Sequence, residues 1–156
     1  MKNLDRTDRA ILYLLQTDAR ELTNTEISDR VDVSPTTVGE RISRLKATGV
    51  LKTCHTEIDY EKAGIPYYLH LSCSTSTSDR SELASTAIQQ SGVVTVKELL
   101  SGDQNLHVEI VGTSNEGVAE TIRDLETAGI EIHDVELIKE AHRRPFDGFG
   151  NPDAKR

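Results

Sequence analysis

The sequence predicts an α+β protein with an N-terminal winged helix-turn-helix and a C-terminal ferredoxin-like β-α-β-β-α-β domain. Two observations support this fold class: three capped helical patterns precede residue 50, and strand and helix patterns then follow in the order of the second domain. We expect a helix-turn-helix domain, a linker or wing strand, a ferredoxin-like domain and a C-terminal tail. Their expected bounds are 1–52, 53–65, 66–142 and 143–156.

The first two helices are predicted from apolar spacing and from capping residues. Apolar residues recur at helical intervals after Asp5, whose carboxylate suits an N-cap, so we expect a helix over about 5–17. Thr23 and Glu26 have the spacing of a capping box, in which each side chain accepts from the other residue's backbone amide. A short second helix is therefore expected over about 24–31.

The third helix is predicted to be the functional one. Ser34 stands at its N-cap and Gly49 at its left-handed C-terminal cap, while Val38, Ile42 and Leu45 form an inward apolar stripe. The other face is polar with basic margins, which is typical either of a solvated surface or of a helix that reads the DNA major groove. The two preceding helices favour DNA. The predicted DNA-contacting residues are Ser34, Thr36, Thr37, Glu40, Arg41, Ser43, Arg44 and Lys46.

The net charge of −8 argues against a nucleic-acid ligand, because affinity for DNA depends largely on Lys and Arg. The location of the charge weakens this objection. Residues 1–60 carry nine basic and ten acidic side chains, whereas residues 61–156 carry nine and sixteen. The range 41–52 contains four basic residues and no acidic one, so we expect a local basic patch on an acidic protein.

Other functional classes are disfavoured. No apolar run approaches the roughly 20 residues needed to span a bilayer, and the first residues lack the apolar core of a signal peptide, so we expect a cytoplasmic protein. Cys54 and Cys73 form no Cys-x-x-Cys pair and are interpreted as ordinary thiols. The histidines have no metal-ligand spacing, and neither a nucleophile motif nor a phosphate loop is present. We expect no metal, no cofactor and no catalysis.

The remaining sequence predicts a four-stranded sheet with two helices. Residues 50–58 are β-prone and are expected to form a wing strand, from which Lys52 and His55 could contact the DNA backbone. Further strands are expected at 67–74, 93–100, 106–111 and 130–141, the last with a bulge near His133 and Asp134, and helices after Asp79 and over 115–128. If both helices pack on one face of this sheet, the other face is uncovered and exposes Leu, Val and Tyr side chains. Such a surface predicts a dimer packed sheet against sheet.

A series of motifs closely resembles the leucine-responsive/asparagine regulator family (Lrp/AsnC, or feast/famine regulators), of archaeal type. The motifs are Leu4-Asp5-x-x-Asp8-x-x-Ile11-Leu12-x-x-Leu15, Ala19-Arg20, Glu26-Ile27-Ser28, and Val33-Ser34-x-x-x-Val38-x-x-Arg41-Ile42-x-x-Leu45-x-x-x-Gly49-Val50-Leu51. The resemblance covers nearly the whole chain and implies a DNA-binding transcription regulator that senses small effectors, commonly amino acids. Position 40 is often basic in this family. Glu40 departs from that pattern, although it could accept a hydrogen bond from a cytosine amino group.

The resemblance also implies an effector site between subunits, near a hairpin motif Gly-x-x-Asp. The matching residues are Gly102, Asp103, Gln104 and Asn105, with Asn105 in place of the final aspartate. An amide hydrogen-bonds an ammonium group without the charge attraction that a carboxylate adds. The other interpretation of these residues is a plain glycine-containing turn.

Two other functions fit the same architecture. Sirohaem decarboxylases share it, but the paired arginines expected of them after Gly49 are absent here. An adaptor that senses a ligand without binding DNA is suggested by Glu40 and by the acidity. The preferred prediction is a homodimer, assembling further into tetramers or octamers, that binds promoter DNA through residues 34–46. The tail at 143–156 is expected to be extended, and either to pack on a neighbouring subunit or to be disordered.

Overall fold

The computed structural model describes residues 4–53 and 55–153. The chain divides into two compact units: a helical unit, which contains the residues up to Thr56 and those from His142 onward, and a sheet unit, Glu57–Ala141. The chain thus leaves the helical unit, builds the sheet unit and returns to the helical unit. Among the described residues, every helix is too short or too polar to cross a membrane.

The helical unit is built from α1 (Arg6–Asp18), α2 (Asn24–Val31) and α3 (Pro35–Ala47). The C-terminal segment adds a 3₁₀ helix at Asp147–Phe149. The three helices predicted from the sequence are confirmed.

Each helix of this unit begins at the side chain that was expected to cap it. Asp5, Thr23 and Ser34 each accept a hydrogen bond from the amide three residues later. Asp5 and Thr23 also complete capping boxes. The connection between α2 and α3 turns at Asp32, whose φ of +56° is left-handed and is tolerated by a short polar side chain. Local chemistry therefore sets the helix-turn-helix connection.

The interior of the helical unit is one apolar cluster to which all three helices contribute. Its buried members are Ile11, Leu12, Leu14, Ile27, Val38 and Leu45. Within the predicted stripe of α3, Val38 and Leu45 are buried, and Ile42 packs against the cluster partly exposed. This stripe determines which face of α3 remains outside.

The strand predicted at residues 50–58 is wrong for this chain, because the described residues 50–53 and 55–58 form no strand. The amides of Val50 and Leu51 both donate to the carbonyl of Leu45, at 3.0 Å each, and so close the end of α3. Leu51 also packs against the apolar cluster of the helical unit. The helix thus uses two backbone amides that a strand would need for pairing, and the helical unit uses the Leu51 side chain.

The sheet unit has a ferredoxin-like β-α-β-β-α-β order, as predicted. Its elements are β1 (Tyr67–Ser74), α4 (Arg80–Ala87), β2 (Val93–Glu98), β3 (Leu106–Gly112), α5 (Asn115–Thr127) and β4 (Glu131–Leu137). The strand order is β2-β3-β1-β4, and every neighbouring pair is antiparallel.

The predicted bulge in β4 is confirmed. Ser72 of β1 pairs with Asp134 and Cys73 pairs with Ile132, so His133 is the extra residue. The helix expected after Asp79 is present, and Asp79 occupies its N-cap position. Its carboxylate, however, accepts from the Ser76 hydroxyl at 2.8 Å and from none of the helix amides.

The interior of the sheet unit lies between the sheet and its two helices. Leu71, Val108, Ile110 and Leu125 are fully buried there. Cys73 is buried with them, and burial raises the pKa of its thiol to about 12, in keeping with an ordinary unreactive thiol. The other cysteine, Cys54, lies outside the described residues.

Candidate nucleic-acid interface and effector loop

The eight residues predicted to contact DNA lie on α3 or at its N-cap, and they differ in exposure. Thr37 and Arg41 are half-buried. The exposed residues are Ser34, Thr36, Glu40, Ser43, Arg44 and Lys46. The Ser34 and Thr37 hydroxyls lie 2.8 Å apart, and Ser34 accepts from the Thr37 amide at 3.1 Å, so these two side chains hold the first turn together.

Arg41 faces α1 rather than solvent. Its Nη1 donates to Asp5 Oδ2 at 2.6 Å and to Asp8 Oδ1 at 2.8 Å, and its side chain is only 22% exposed. The structure therefore places Arg41 as a connection between α3 and the first turn of α1.

Arg44 is also paired with α1, but on its outer side. Its Nη2 donates to both carboxylate oxygens of Asp8, at 2.6 and 2.8 Å. Asp8 is nearly inaccessible, with 4% of its side chain exposed, whereas Arg44 is 55% exposed. One buried carboxylate thus holds one nitrogen of Arg44 in place, and the rest of that side chain extends outward.

The four side chains form a neutral cluster of two carboxylates and two guanidinium groups, which we call the Asp–Arg cluster: Asp5, Asp8, Arg41 and Arg44. The hydrogen bond from Arg41 lowers the pKa of Asp5, as do the amide of Asp8 and the charge of Arg41. In return, hydrogen bonds to Asp5 and then Asp8 raise the pKa of Arg41. Much of the positive charge counted in α3 is therefore balanced within the helical unit.

Sequence reasoning missed the roles of Asp5 and Asp8 in this cluster, although both belong to the motifs quoted above. The signal was present as two pairs with the same spacing: the aspartates are three residues apart on α1, and the arginines are three residues apart on α3. Side chains three apart share a helix face, so two such pairs can meet when the helices pack.

The predicted effector residues lie at the hairpin between β2 and β3. The Leu99 amide donates to the Asn105 carbonyl at 2.9 Å, and Arg80 Nη1 donates to the Leu99 carbonyl at 2.6 Å. The base of the loop is therefore fixed, while its tip is exposed, with Leu100 at 95%. Gly102 adopts a φ of +98° at this tip, a conformation that favours glycine.

The four effector residues do not form one group. Gly102, Asp103 and Gln104 are exposed, but Asn105 is buried. The Asn105 side chain accepts from the Thr75 amide at 2.9 Å and donates to the Thr75 carbonyl at 2.8 Å. This reciprocal pair ties the hairpin to the end of β1, so its amide is already occupied in the folded chain.

The sheet face opposite the helices carries a polar network. Lys97 Nζ donates to Glu109 Oε1 at 2.5 Å, and the Tyr68 hydroxyl donates to Glu109 Oε2 at 2.8 Å. Burial acts to raise the pKa of Glu109, but these two hydrogen bonds, the charge of Lys97 and a hydrogen bond from Thr95 together lower it. His70 and His107 lie beside this network, edge to face at 4.8 Å.

Of the Leu, Val and Tyr side chains expected on this open face, Tyr68 and Val111 are present, but the leucines of β1 are not. Pairing places Leu69, Leu71 and Val108 toward the helices, and the open face instead combines Tyr and Val with charged, histidine and hydroxyl side chains. Its residues are Tyr68, His70, Ser72, Thr95, Lys97, His107, Glu109, Val111, Asp134 and Glu136. The difference arises because the leucines of β1 are needed in the core.

Asn105→Asp is expected to destabilise the sheet unit by about 1–3 kcal/mol, because a carboxylate cannot donate to the Thr75 carbonyl and leaves it unpaired. Urea unfolding followed by circular dichroism measures this loss. The matched control is Asp103→Asn in the exposed tip, expected to change the free energy of unfolding by no more than about 0.5 kcal/mol. Equal stability of Asn105→Asp and the wild type would contradict the structural role of this amide.

Comparison with known proteins gives one match to the helical unit and others that extend into the sheet unit. A family model described as winged helix-turn-helix DNA-binding matches residues 4–52. The leucine-responsive regulatory protein of Escherichia coli K12 is 36% identical over 104 residues, which cover 65% of this chain and 63% of that protein. The HTH-type transcriptional regulator AldR of Mycobacterium tuberculosis is 37% identical over 82 residues, or 53% of this chain and 45% of that protein. The chain thus spans less than two thirds of the length of these curated relatives.

The crystal structure of the same AldR matches with a TM-score of 0.75 and 25% identity, and the match covers 92% of this chain and 99% of that one. This agreement extends the resemblance from the helical unit to the sheet unit. Both relatives are bacterial, so the archaeal type stays a prediction. The motifs, the two-unit fold and these relatives agree: the chain is similar to regulators of the leucine-responsive (Lrp/AsnC) family.

Proposed function

We propose that the protein is a sequence-specific DNA-binding transcription regulator and that α3 enters the major groove. The observation that carries this proposal is the exposed polar line on α3. Thr36, Glu40 and Ser43 follow one another at intervals of four and three residues, so they lie on one side of the helix. Short polar side chains of this kind can approach base edges closely.

The basic residues flank this line and suit the phosphates. Lys46 is exposed at the last turn of α3, and Arg44 extends outward from its contact with Asp8. Because Asp8 holds only one nitrogen of Arg44, the remaining donors are available to a phosphate at a fixed position. The Asp–Arg cluster would then hold Arg44 in a fixed orientation toward a phosphate. Because the cluster is neutral, it would add little non-specific attraction to DNA.

The names of the relatives favour a regulator over the sirohaem decarboxylase alternative, since both are named as regulatory proteins. The adaptor alternative rests on Glu40 and on the acidic composition. Most of that acidity belongs to residues 61–156, away from α3 in the sequence, and so it does not count against DNA binding by the helical unit.

The DNA proposal is tested with Arg44→Ala and a duplex carrying the protein's own promoter region. Losing one phosphate contact should weaken binding about tenfold and reduce the slope of log affinity against log salt by about 1. Fluorescence anisotropy over a salt series measures both. The control is Arg123→Ala on the exposed side of α5, which removes the same charge from the sheet unit. An unchanged affinity and salt slope for Arg44→Ala would exclude this face.

Dimerisation through the open sheet face is a further part of the proposal. The polar network at Glu109 is already satisfied within one chain, so a second copy could cover it without leaving a buried charge unpaired. A two-fold dimer would present two copies of α3 to successive major grooves, about 34–36 Å apart. Larger assemblies, tetramers or octamers, would build on this dimer.

His70→Glu tests the dimer, because it adds a carboxylate directly opposite Glu109 in the β1–β3 register. The added carboxylate is a neighbour of Glu109 in the same chain and has no basic partner of its own, so a second copy covering this face would bury an unpaired charge. The variant should therefore dissociate the dimer, and added salt should partly restore it. Sedimentation velocity measures the dimer fraction. Arg123→Glu, on the helix side of the unit, changes the charge by two units and should leave the dimer intact. A His70→Glu protein that folds and remains dimeric would rule out this interface.

An amino-acid effector bound at the hairpin tip is the remaining part of the proposal. With Asn105 committed to Thr75, the exposed carboxylate of Asp103 is the group of the motif that suits an ammonium ion. Gln104 Nε2 donates to Asp134 Oδ2 at 3.5 Å, and its second hydrogen suits a carboxylate. The carboxylate that contacts the effector would therefore be at position 103, two residues before position 105, where the family's motif has its final aspartate.

This effector proposal is tested by calorimetric titration with each of the standard amino acids. At least one should bind, and Asp103→Asn should weaken its binding about tenfold, since a charge-assisted hydrogen bond becomes a neutral one. Glu120→Gln on the exposed side of α5 is the control for a lost negative charge. The absence of any binding isotherm, or an unaltered isotherm for Asp103→Asn, would count against the site.

A further inference from the structure

The C-terminal segment, residues 142–153, packs on the helical unit of its own chain. The backbone amide of Phe146 donates to Gln16 Oε1 of α1 at 2.8 Å. Phe149 packs against the apolar cluster of the helical unit, and its ring meets the Phe146 ring edge to face at 5.2 Å. Further along, Arg30 of α2 pairs with Asp153 at 3.3 Å.

These contacts are of different kinds and involve different parts of the helical unit. One is a hydrogen bond to α1, one is apolar packing against the core, and one is an ion pair with α2. They are spread over eight residues of the segment, and the 3₁₀ helix at Asp147–Phe149 gives its middle a defined backbone. A segment that made no stable contact with the domain would not be expected to form a helix or to pack an aromatic side chain against the core.

We propose that the C-terminal segment is a working part of the helix-turn-helix domain and its second covalent connection to the sheet unit. The chain enters the sheet unit after Thr56 and comes back at His142. The helical unit is therefore held by the chain at two points, through the linker after α3 and through the segment docked on α1. A domain held by two connections has less rotational freedom than one held by a single linker, so it costs less entropy to order on DNA.

The C-terminal segment can influence the position of α3 through α1. Gln16 and the Asp–Arg cluster lie at opposite ends of α1, a continuous helix from Arg6 to Asp18. The segment steadies one end of α1, and Asp5 and Asp8 at the other end hold Arg41 and Arg44. The segment is thus a positioning element for the polar face of α3, without contacting DNA itself.

The test compares two phenylalanines of the same segment in the full-length protein. Phe149→Ala removes the side chain that packs against the core, whereas Phe146→Ala removes a ring that is 61% exposed and keeps the backbone amide that bonds to Gln16. The wild-type chain has no tryptophan, so Tyr13→Trp in α1 provides a background in which fluorescence reports on the helical unit. Both alanine variants are made in this background.

Phe149→Ala should lower the midpoint of the tryptophan melting curve by several degrees and weaken promoter binding about fivefold or more. Phe146→Ala should change binding less than twofold. Equal melting midpoints for the two variants would overturn the proposal that the segment belongs to this domain. Because melting is read without DNA, this result stands apart from whether the protein binds a promoter at all.

The second connection is tested by inserting a protease site between Arg143 and Arg144, both exposed. Cleavage leaves the segment docked but cuts the chain. The decay of fluorescence anisotropy of the tryptophan reporter should then contain a larger fast component, because the helical unit is held by one linker, while the melting midpoint stays the same. An identical decay before and after cleavage would refute the second connection.

Discussion

The buried carboxylate of Asp8 is the interaction on which the helical unit depends. A carboxylate removed from water is costly unless charge and hydrogen bonds replace its hydration, and Asp8 receives both from Arg41 and Arg44. Removing one partner of such a buried pair commonly costs about 3–5 kcal/mol, and the exposure of Arg44 places this case toward the lower end. The same carboxylate fixes the rotation of α3 about its own axis, which the apolar stripe alone leaves adjustable.

This arrangement changes how an acidic chain can read DNA. If both arginines were free, α3 would attract any phosphate backbone. With their charge balanced by Asp5 and Asp8, non-specific attraction would fall, and under the proposed function the short polar residues Thr36, Glu40 and Ser43 would carry more of the discrimination between base sequences. Glu40 fits this division, because an acidic side chain is unfavourable near phosphates and useful only at a base that offers a donor.

Most of the fold follows from short-range signals in the sequence. Capping residues such as Thr23 and Ser34 mark helix starts because each satisfies an amide within three residues. The predictions that fail depend on contacts that the sequence pattern does not show, some of them close in the chain and some far apart. The strand expected after α3 fails because Val50 and Leu51 close that helix, and the effector motif changes because Asn105 bonds Thr75, thirty residues earlier. The Asp–Arg cluster leaves two pairs of equal spacing, but a window of neighbouring residues does not show that these distant pairs meet. The docking of Phe149 leaves no such spacing.

The open sheet face raises a different question, namely how a polar surface can hold two copies together. An apolar face would associate strongly and permanently, since its exposure to water is always unfavourable. The face of this chain is instead satisfied internally: Glu109 has Lys97 and Tyr68 as partners, and the acidic residues Asp134 and Glu136 lie along one side. In the proposed dimer, two facing copies would gain contact area without a large hydrophobic contribution, and their acidic margins would repel at low ionic strength. Assembly through such a face would respond to salt and to small ligands, because a modest free energy is enough to shift an association that is itself modest.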